Sequence, residues 1–440
     1  MSSTRRKFMH RLGGLLSLWS LSSFLHPALA EGLELALKRA ANIPDDQLAK
    51  DEDFWRQIQQ AYTVSASLIN LNNGGVSPQP RVVQEAVERF NRLSNEAPTY
   101  YMWRILNRNR ESLRRKLAQL AGCSPQEIAI NRNASEALET VIFGLRLRAG
   151  DEVILSRQDY PSVINAWKQR ELRDGIVLKW LNFDFPIEDE EAITKTFVDA
   201  LSPQTRIVQI THIINWTGQV MPVRRIVDAV KRDGIDVMVD GAHSFAQLDY
   251  AIPDLNCDYF GTSLHKWLCA PFGTGMLYVR KEKIAQLYPL LAAPDPESDD
   301  IRKFENLGTR SLAIEYAIAN AIDFHLLIGT KRKQLRLQYL KRYWAEKAMK
   351  IPGVRLHSSL DPAFGCAIAL FSIDDCRAFD IMSFLFQKGA IHTVAIDVEN
   401  IHGIRITPNV YTMTYDLDRL IDMIGKFVEE KEKEKESKSR

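Results

Sequence analysis

The amino-acid sequence predicts an α/β fold with a large, mostly parallel seven-stranded sheet and a smaller C-terminal α/β domain. The first observation is a series of short apolar runs typical of buried strands. These runs lie at 127–130, 151–156, 175–181, 206–212, 235–239, 259–264 and 274–279. The second observation is that helical stretches, such as 134–147 and 222–232, separate many of the runs. Strands that alternate with helices form parallel sheets that are covered on both faces.

A second, smaller unit follows the predicted large sheet. A long helical passage at roughly 311–349 leads into it. Its strand-like runs lie near 364–373, 389–395 and 403–406. We therefore place an N-terminal segment with the large domain at 31–330 and the small domain at 331–428. The last residues, 429–440, are nearly all Glu, Lys, Ser and Arg, which is typical of a frayed helix end or of disorder.

Residues 1–30 form a candidate export signal that is not part of the fold. Arg5 and Arg6 precede an apolar stretch at 12–24, and Ala-Leu-Ala at 28–30 offers a small-residue cleavage site. This pattern resembles a twin-arginine signal, which predicts a periplasmic protein exported by the twin-arginine machinery. An ordinary secretory signal or an uncleaved anchor has a similar pattern, although the stretch is short for a membrane span.

Composition and charge exclude several other classes of function. The 440 residues are 25% charged and 45% hydrophobic with a formal net charge of +2, so there is no bulk electrostatic case for binding nucleic acid. The five cysteines are scattered and odd in number, and they predict neither a disulfide framework nor a metal site. The absence of a Gly-x-Gly-x-x-Gly or phosphate-loop motif argues against dinucleotides and nucleoside triphosphates.

Asp240 and Lys266 are the residues around which the predicted site is organised. Asp240 ends the run 235–239, and Lys266 follows the run 259–264. Because ligands of open α/β sheets bind beyond the carboxyl ends of the strands, this acid and this lysine can face one ligand. Pyridoxal phosphate needs such a pair, a lysine to form a Schiff base and an acid beside the pyridine nitrogen. Taken singly, a strand-terminal Asp is more often a helix cap, and a lone Lys is more often a solvated charge.

Further polar residues follow the neighbouring strand runs. Asn-Ala-Ser-Glu at 133–136 opens a helix, where backbone N–H groups and a hydroxyl make either an anion site or a plain N-cap. Tyr160 can stack on a cofactor ring or simply pack against its neighbours. Asn215 is a candidate donor to a phenolate or a substrate oxygen, and Ser263 and His265 offer donors to a phosphate.

Together these segments resemble a known family. The residues at 133–136, Asp-x-x-His at 240–243 and Ser-x-His-Lys-Trp at 263–267 are similar to those of class V aminotransferases, which are fold-type I pyridoxal-phosphate enzymes. Within the family they look most like the isopenicillin N epimerase-like branch, and the resemblance spans roughly residues 68–427. It implies pyridoxal 5'-phosphate as cofactor and an amino acid or related amine as substrate.

The resemblance also implies a role for each cofactor-binding candidate. It makes Lys266 the catalytic residue that bonds the cofactor and Asp240 the partner of the pyridine nitrogen. His243, where many relatives carry Gln, is implied to bond the ring hydroxyl, and Tyr160, where many carry His, to stack on the ring. The residues implied to hold the phosphate are Ala134, Ser135, Ser263 and His265.

Two further residues extend the implied site beyond the large sheet. Arg405 matches the arginine that binds the substrate carboxylate, a task that suits a planar guanidinium. Thr309, in a Gly-Thr pair with Gly308, resembles the residue that reaches the phosphate of a neighbouring subunit, which implies a homodimer with shared sites.

The predicted activity is conversion of an amino acid by removal of its Cα proton, with aminotransfer favoured and epimerisation as the alternative. Cysteine desulfurases of this class carry a nucleophilic cysteine shortly before the carboxylate-binding arginine. Here the segment 389–404 contains no cysteine and Cys376 is too far upstream, so sulfur transfer is disfavoured. A non-catalytic protein of the same fold is disfavoured because Lys266, Asp240 and Arg405 are all present.

Overall fold

The computed structural model describes residues 27–232 and 234–439. The predicted signal therefore lies outside the described residues except for its last four positions, where a helix begins at Pro27. In the described part of the chain, no single helix is long and apolar enough to span a membrane. A bent pair of helices, Leu312–Ile328 and Thr330–Ala348, meets the length and composition criteria together.

The strands and helices are labelled in chain order. The strands are β1 Ile69–Asn70, β2 Ile128–Asn131, β3 Glu152–Ser156, β4 Val177–Leu181, β5 Thr205–Thr211, β6 Asp236–Asp240, β7 Tyr259–Ser263, β8 Gly275–Val279, β9 Val354–Leu356, β10 Ala369–Ile373, β11 Ile391–His392, β12 Val394–Val398 and β13 Ile401–Ile406. The α-helices are α1 Pro27–Ala40, α2 Asp45–Leu48, α3 Glu52–Gln60, α4 Arg81–Glu96, α5 Asn107–Ala121, α6 Ala134–Gly144, α7 Pro161–Asp174, α8 Glu190–Asp199, α9 Val223–Val230, α10 Leu312–Ile328, α11 Thr330–Ala348, α12 Ala378–Gly389 and α13 Thr414–Ser439. A π-helical segment, Thr99–Leu106, precedes α5.

The large sheet has the predicted seven strands, in the order β2-β8-β7-β6-β5-β3-β4. β8 runs antiparallel to both of its neighbours, and the other pairs are parallel. Consequently β2, β3, β5, β6 and β7 all end at the same edge of the sheet. Each predicted run overlaps an observed strand, which confirms the mostly parallel α/β fold.

Both faces of this sheet are buried. In β6, Val237 and Val239 belong to one apolar cluster and Met238 belongs to another, because successive side chains of a strand point to opposite faces. Helices α6 and α7 cover the face of Met238. Helices α9 and α10 cover the opposite face. This double cover explains why the strands read as continuous apolar runs and not as alternating ones.

The C-terminal part forms a second, antiparallel sheet with the order β12-β13-β10-β9. A separate apolar cluster packs it against α11, α12 and α13. The predicted strands near 364–373 and 389–395 are shorter and shifted, since the first is Ala369–Ile373 and the second is split into β11 and β12. The predicted helical passage is two helices bent by 76° at Gly329, whose φ of +94° favours glycine.

By strand pairing, the N-terminal segment is joined to the second sheet region, while its helices share an apolar cluster with the large sheet. β1 pairs in parallel with β11, which places Ile69 opposite Ile391. Asn72 then forms a bridge with Thr407, just after β13. The turn-rich residues after β1 are thereby held close to the strand that carries Arg405.

Candidate active site

The candidate site lies at the edge where the parallel strands of the large sheet end. Asp240 is the last residue of β6, Ser263 is the last of β7, and Thr211 is the last of β5. His243 and Lys266 follow within a turn of β6 and β7. The strand register, with Asp240 opposite both Thr211 and Gly261, brings these loops together.

Lys266 is partly buried and contacts the residues that the sequence predicts around it. Its Nζ lies 3.1 Å from Nε2 of His243 and 5.6 Å from the ring centroid of Tyr160. Burial lowers the pKa of Lys266 to about 8, the carboxylate of Asp240 opposes this shift, and the charge of Arg405 adds to it. An amine with such a pKa is available in its neutral, nucleophilic form near neutral pH.

Asp240 is a buried carboxyl group with a well-defined acceptor geometry. Its Oδ1 accepts a hydrogen bond of 2.9 Å from the backbone N–H of Ala242. Burial raises its pKa, whereas this hydrogen bond and the charge of Lys266 lower it. The next residue, Gly241, has no room for a side chain, because a Cβ there would lie 1.8 Å from the ring of Phe260.

Polar groups converge on the N-terminus of α6. The side chain of Asn133 caps the helix by accepting a 2.8 Å hydrogen bond from the N–H of Glu136. The N–H of Ala134 donates to Oγ of Ser263 over 2.9 Å, which joins the ends of β2 and β7. The hydroxyl group of Ser135 lies 2.9 Å from that of Ser162 in the first turn of α7. A helix N-terminus with several hydroxyl groups is an anion site.

His265 lies beside this helix N-terminus but is already engaged through one ring nitrogen. Its Nδ1 is 3.1 Å from the carbonyl oxygen of Thr274, so Nδ1 carries a proton and donates it. Burial, together with the charge of Lys266, lowers the pKa of His265 to about 4. A phosphate bound at Nε2 would therefore require a second proton on this ring.

Tyr160 and Asn215 follow β3 and β5 at the same edge of the large sheet. The ring of Tyr160 is 41% exposed and stacks on Trp216, with centroids 6.5 Å apart. Oδ1 of Asn215 is buried and has no hydrogen-bond partner among the described residues. Buried polar atoms are normally paired, so this oxygen is available to a ligand.

Arg405 enters the site from β13 of the second sheet. Its Nη1 donates to the backbone carbonyl of Asn215 over 3.0 Å, and its Nη2 donates to Oδ1 of Asn72 over 2.9 Å. Burial lowers its pKa to about 10, so the guanidinium remains charged at neutral pH. Asn72 escaped the sequence reasoning because it lies in a turn-rich stretch 333 residues before Arg405. Its position in an Asn-Asn-Gly-Gly run is the one signal that marked it.

Two further site residues were not singled out from the sequence. Trp267 donates its indole N–H to Nδ1 of His243 over 3.2 Å. Asp159 is a second buried carboxyl group, which accepts hydrogen bonds of 2.6 Å from the Thr211 hydroxyl and 2.9 Å from the Ser156 N–H. Burial raises the pKa of Asp159 to about 7.

Thr309 lies apart from the cluster around Lys266. It is exposed on the loop between the short 3₁₀ helix Ile301–Glu305 and α10. The aromatic residues Tyr100 and Trp103 of the π-helical segment before α5 are 49% and 54% exposed.

The residues present fit pyridoxal phosphate. The serine hydroxyls at the N-terminus of α6 suit its phosphate, and the buried carboxyl of Asp240 suits its pyridine nitrogen. Nζ of Lys266 suits its carbonyl carbon. Oδ1 of Asn215 and Nε of Arg405 are buried without partners in the described residues, which leaves polar groups that a bound ligand can satisfy.

Comparisons with known proteins agree with this geometry. The fold matches a cystine C–S lyase, C-DES, in complex with its product cysteine persulfide, with a TM-score of 0.74 at 22% identity over 82% of this chain and 98% of that one. A variant of the same lyase carries glycine covalently linked to its pyridoxal-phosphate cofactor. This chain shares their fold, and its match to the model of the class V aminotransferases makes it a pyridoxal-phosphate-dependent enzyme of fold type I.

The family follows from the sequence comparison. The model of the class V aminotransferases matches residues 69–408, and the chain belongs to that family. It is 26% identical to isopenicillin N epimerase from Streptomyces clavuligerus over 387 residues, which cover 84% of this chain and 97% of the epimerase. It is 28% identical to a probable cysteine desulfurase from Synechocystis over 73% of this chain and 80% of that protein.

Proposed function

We propose that this enzyme converts an α-amino acid by moving its Cα proton, and that the reaction is aminotransfer. The observation that carries the proposal is the placement of Lys266 and Arg405 in one buried site. Each lies close enough to the other for the charge of Arg405 to lower the pKa of Lys266. An amine base beside a guanidinium suits a substrate that bears an acidic Cα–H and a carboxylate.

Each residue of the site has a task in this proposal. When bound, pyridoxal phosphate supplies a carbonyl group for the substrate amine and a conjugated ring that withdraws electrons from Cα. Arg405 binds and orients the carboxylate, while Asp240 keeps a proton on the pyridine nitrogen. Lys266, with a pKa of about 8, takes the proton from Cα. Tyr160 and Trp216 form an aromatic wall over the site.

Aminotransfer is favoured because one amine can perform it. Lys266 can return the proton to the cofactor on the face from which it was taken. Epimerisation needs a second proton donor on the opposite face of Cα. Tyr160 is a candidate donor, because the centroid of its ring lies 5.6 Å from Nζ of Lys266. Tyr101 packs edge-on against Tyr100, in the π-helical segment before α5.

Epimerisation is the second candidate, and a specific observation supports it. The similarity to isopenicillin N epimerase from Streptomyces clavuligerus extends over 84% of this chain. In addition, the exposed ring of His392 lies 3.5 Å from Nδ2 of Asn72, whose Oδ1 accepts from Arg405. A histidine beside the carboxylate-binding group could serve as an acid on the far side of a substrate.

A half-reaction without keto acid distinguishes the two. The purified enzyme is mixed with single amino acids in deuterium oxide, and cofactor and substrate are recovered for mass spectrometry and chiral analysis. Aminotransfer converts the cofactor to pyridoxamine phosphate and releases one equivalent of keto acid. Deuterium at Cα with inversion and no pyridoxamine phosphate would establish epimerisation instead. If no amino acid loses its Cα proton or its amino group, the proposal as a whole is overturned.

Cysteine desulfuration is a weaker candidate despite the similar desulfurases. The segment 389–404 has no cysteine. Cys269 and Cys366 are buried, and burial raises the pKa of the Cys366 thiol to about 11. Such a thiol is a poor nucleophile near neutral pH.

We also propose that the enzyme is exported by the twin-arginine route. The support is Arg5 and Arg6 before the apolar stretch at 12–24. That route carries folded proteins, so the cofactor would be loaded before export. A reporter fused to residues 1–35 should cross the inner membrane, and Arg5→Lys with Arg6→Lys should abolish transfer. Unimpaired export of the double variant would point to the general secretory route.

A homodimer is the last part of this proposal. Thr309 is exposed and lies apart from Lys266, although it matches a residue that reaches a neighbouring phosphate. The exposed rings of Tyr100 and Trp103 lie in the segment before α5. Sedimentation should give a dimer, and Thr309→Ala should weaken cofactor binding. A monomer with full cofactor affinity would contradict shared sites.

A further inference from the structure

His243 has two buried ring nitrogens, and each contacts a different side chain. Nδ1 lies 3.2 Å from the indole nitrogen of Trp267, and Nε2 lies 3.1 Å from Nζ of Lys266. His243 is 4% exposed and Trp267 is fully buried, so water does not compete freely for either contact. The protonation of this ring is therefore decided by its two neighbours.

The indole N–H settles where the imidazole proton must be. Trp267 can donate a hydrogen bond but cannot accept one, so Nδ1 of His243 has to present a lone pair. A neutral imidazole carries one proton, which is then on Nε2. Burial of the ring is the largest cause that holds the pKa of His243 well below its usual range, so the ring is neutral.

The contact with His243 also indicates the protonation state of the Lys266 amine. If Nε2 of His243 carries a proton, an ammonium group on Lys266 3.1 Å away would place two hydrogen-bond donors opposite each other with no acceptor between them. The contact is a hydrogen bond when the amine of Lys266 is neutral and accepts the proton. The other charged or titratable groups facing this amine are Asp240, Arg405, His265 and Tyr160.

We propose that Trp267 is a positioning residue that fixes His243 as its Nε2–H tautomer, so that His243 always presents a hydrogen-bond donor to the cofactor and to the Lys266 amine. This inference builds on the proposed role of Lys266. It adds that the donor is enforced by a residue that lies behind the imidazole and touches neither substrate nor cofactor. A phenolate oxygen that accepts from Nε2 is stabilised by that fixed donor.

The first test reads the tautomer directly. The full chain is labelled with ¹⁵N-histidine and studied by long-range ¹⁵N–¹H spectroscopy without and with pyridoxal phosphate, and His243→Gln identifies the signals. We expect a pyrrole-type Nε2 and a pyridine-type Nδ1 in both states near neutral pH. An Nδ1–H tautomer or a doubly protonated ring in the wild-type protein would overturn the inference, whatever reaction the enzyme catalyses.

The second test removes the donor that fixes the ring. Trp267→Phe should produce a mixture of the two tautomers and weaken pyridoxal phosphate binding roughly tenfold, as for loss of one hydrogen bond to a charged group. Trp344→Phe is the matched control, because Trp344 is equally buried and its indole N–H has no hydrogen-bond partner in the described structure. That variant should leave the His243 signals unchanged.

A double variant separates positioning from packing. The Gln side chain in His243→Gln carries its donor irrespective of any partner, so Trp267→Phe should have no further effect on cofactor affinity in that background. An equal weakening in both backgrounds would show that Trp267 contributes by packing alone. If Trp267→Phe does not fold, the wild-type tautomer still decides the question.

Discussion

The two halves of the site differ in how the chain builds them. The proposed cofactor side consists of Asp240, His243, Ser263 and Lys266, which end or follow adjacent strands of one sheet. The proposed substrate side consists of Asn72, Asn215 and Arg405, which come from three separate segments of the chain. The first is placed by the register of the large sheet, and the second by the docking of the small sheet and the N-terminal segment onto it.

This difference appears in the hydrogen bonding. On the cofactor side, His243 has a partner at each ring nitrogen, and Ser263 is joined to the N–H of Ala134. On the substrate side, Nε of Arg405 and Oδ1 of Asn215 are buried without partners among the described residues. Because a paired group is held in place while an unpaired one can still bind, the cofactor side is preorganised and the substrate side is open to a ligand.

The largest expected effect is on the cofactor side. Lys266→Ala should abolish activity and prevent trapping of the cofactor by borohydride, because the bonded amine is lost. Lys341→Met is the matched control, since burial also lowers the pKa of Lys341 to about 8 but its Nζ donates to the Ser359 carbonyl far from the site. Peptide mass mapping after reduction measures both. Label retained in Lys266→Ala or lost in Lys341→Met would contradict the assignment.

The next largest effect is expected from a substitution that changes the substrate side alone. Arg405→Ala should raise KM for amino acids by a factor that corresponds to about 2–5 kcal/mol, since the substrate carboxylate loses a buried charged partner. The absorbance of the bound cofactor should stay unchanged. Steady-state kinetics with an amino acid and with the matching decarboxylated amine provide the comparison. An equal loss for both substrates would show that Arg405 does not bind the carboxylate.

A third prediction concerns Asp159, which links the two sides because it bonds Thr211 and precedes Tyr160. Burial raises its pKa to about 7. Between its ordinary pKa of 3.8 and about 7 the carboxyl is ionised only in the unfolded chain, so the stability of the wild-type protein falls as pH rises. In Asp159→Asn this loss disappears. The free energy of unfolding of the variant relative to wild type should therefore increase across that window, by on the order of 1.4 kcal/mol for each pH unit. Urea denaturation at a series of pH values measures it, and a constant difference would mean that Asp159 does not titrate there.

The sequence named all four residues of the cofactor side, but on the substrate side it named Asn215 and Arg405 without Asn72. Asp240 and Lys266 are recognisable because a polar residue directly after an apolar strand run marks the carboxyl edge of a parallel sheet. The partner of Arg405 could not be found in the same way. Asn72 reaches it through the pairing of β1 with β11, and no local pattern reports a contact across 333 residues.

The tautomer of His243 was also beyond the sequence. Trp267 stands next to Lys266 in the chain, where a buried aromatic residue is expected to serve packing. Its indole N–H acts on His243 because the turns after β6 and β7 lie side by side. The orientation of a side chain within such a turn depends on packing that one sequence does not display.

The smallest expected effect tests whether the N-terminal segment belongs to the substrate side. Asn72→Ala removes one acceptor of the Arg405 guanidinium but leaves its bond to the Asn215 carbonyl. A hydrogen bond to a charged group contributes about 1.5–3 kcal/mol, and partial exposure of Asn72 places the effect near the lower value. KM for amino acids should rise roughly tenfold with cofactor affinity unchanged.

Asn400→Ala, which loses hydrogen bonds of the β12–β13 turn to Phe183 and Asp184, is the control for general loosening of the small sheet. If both variants raise KM equally, Asn72 acts through docking of the small sheet and not through Arg405.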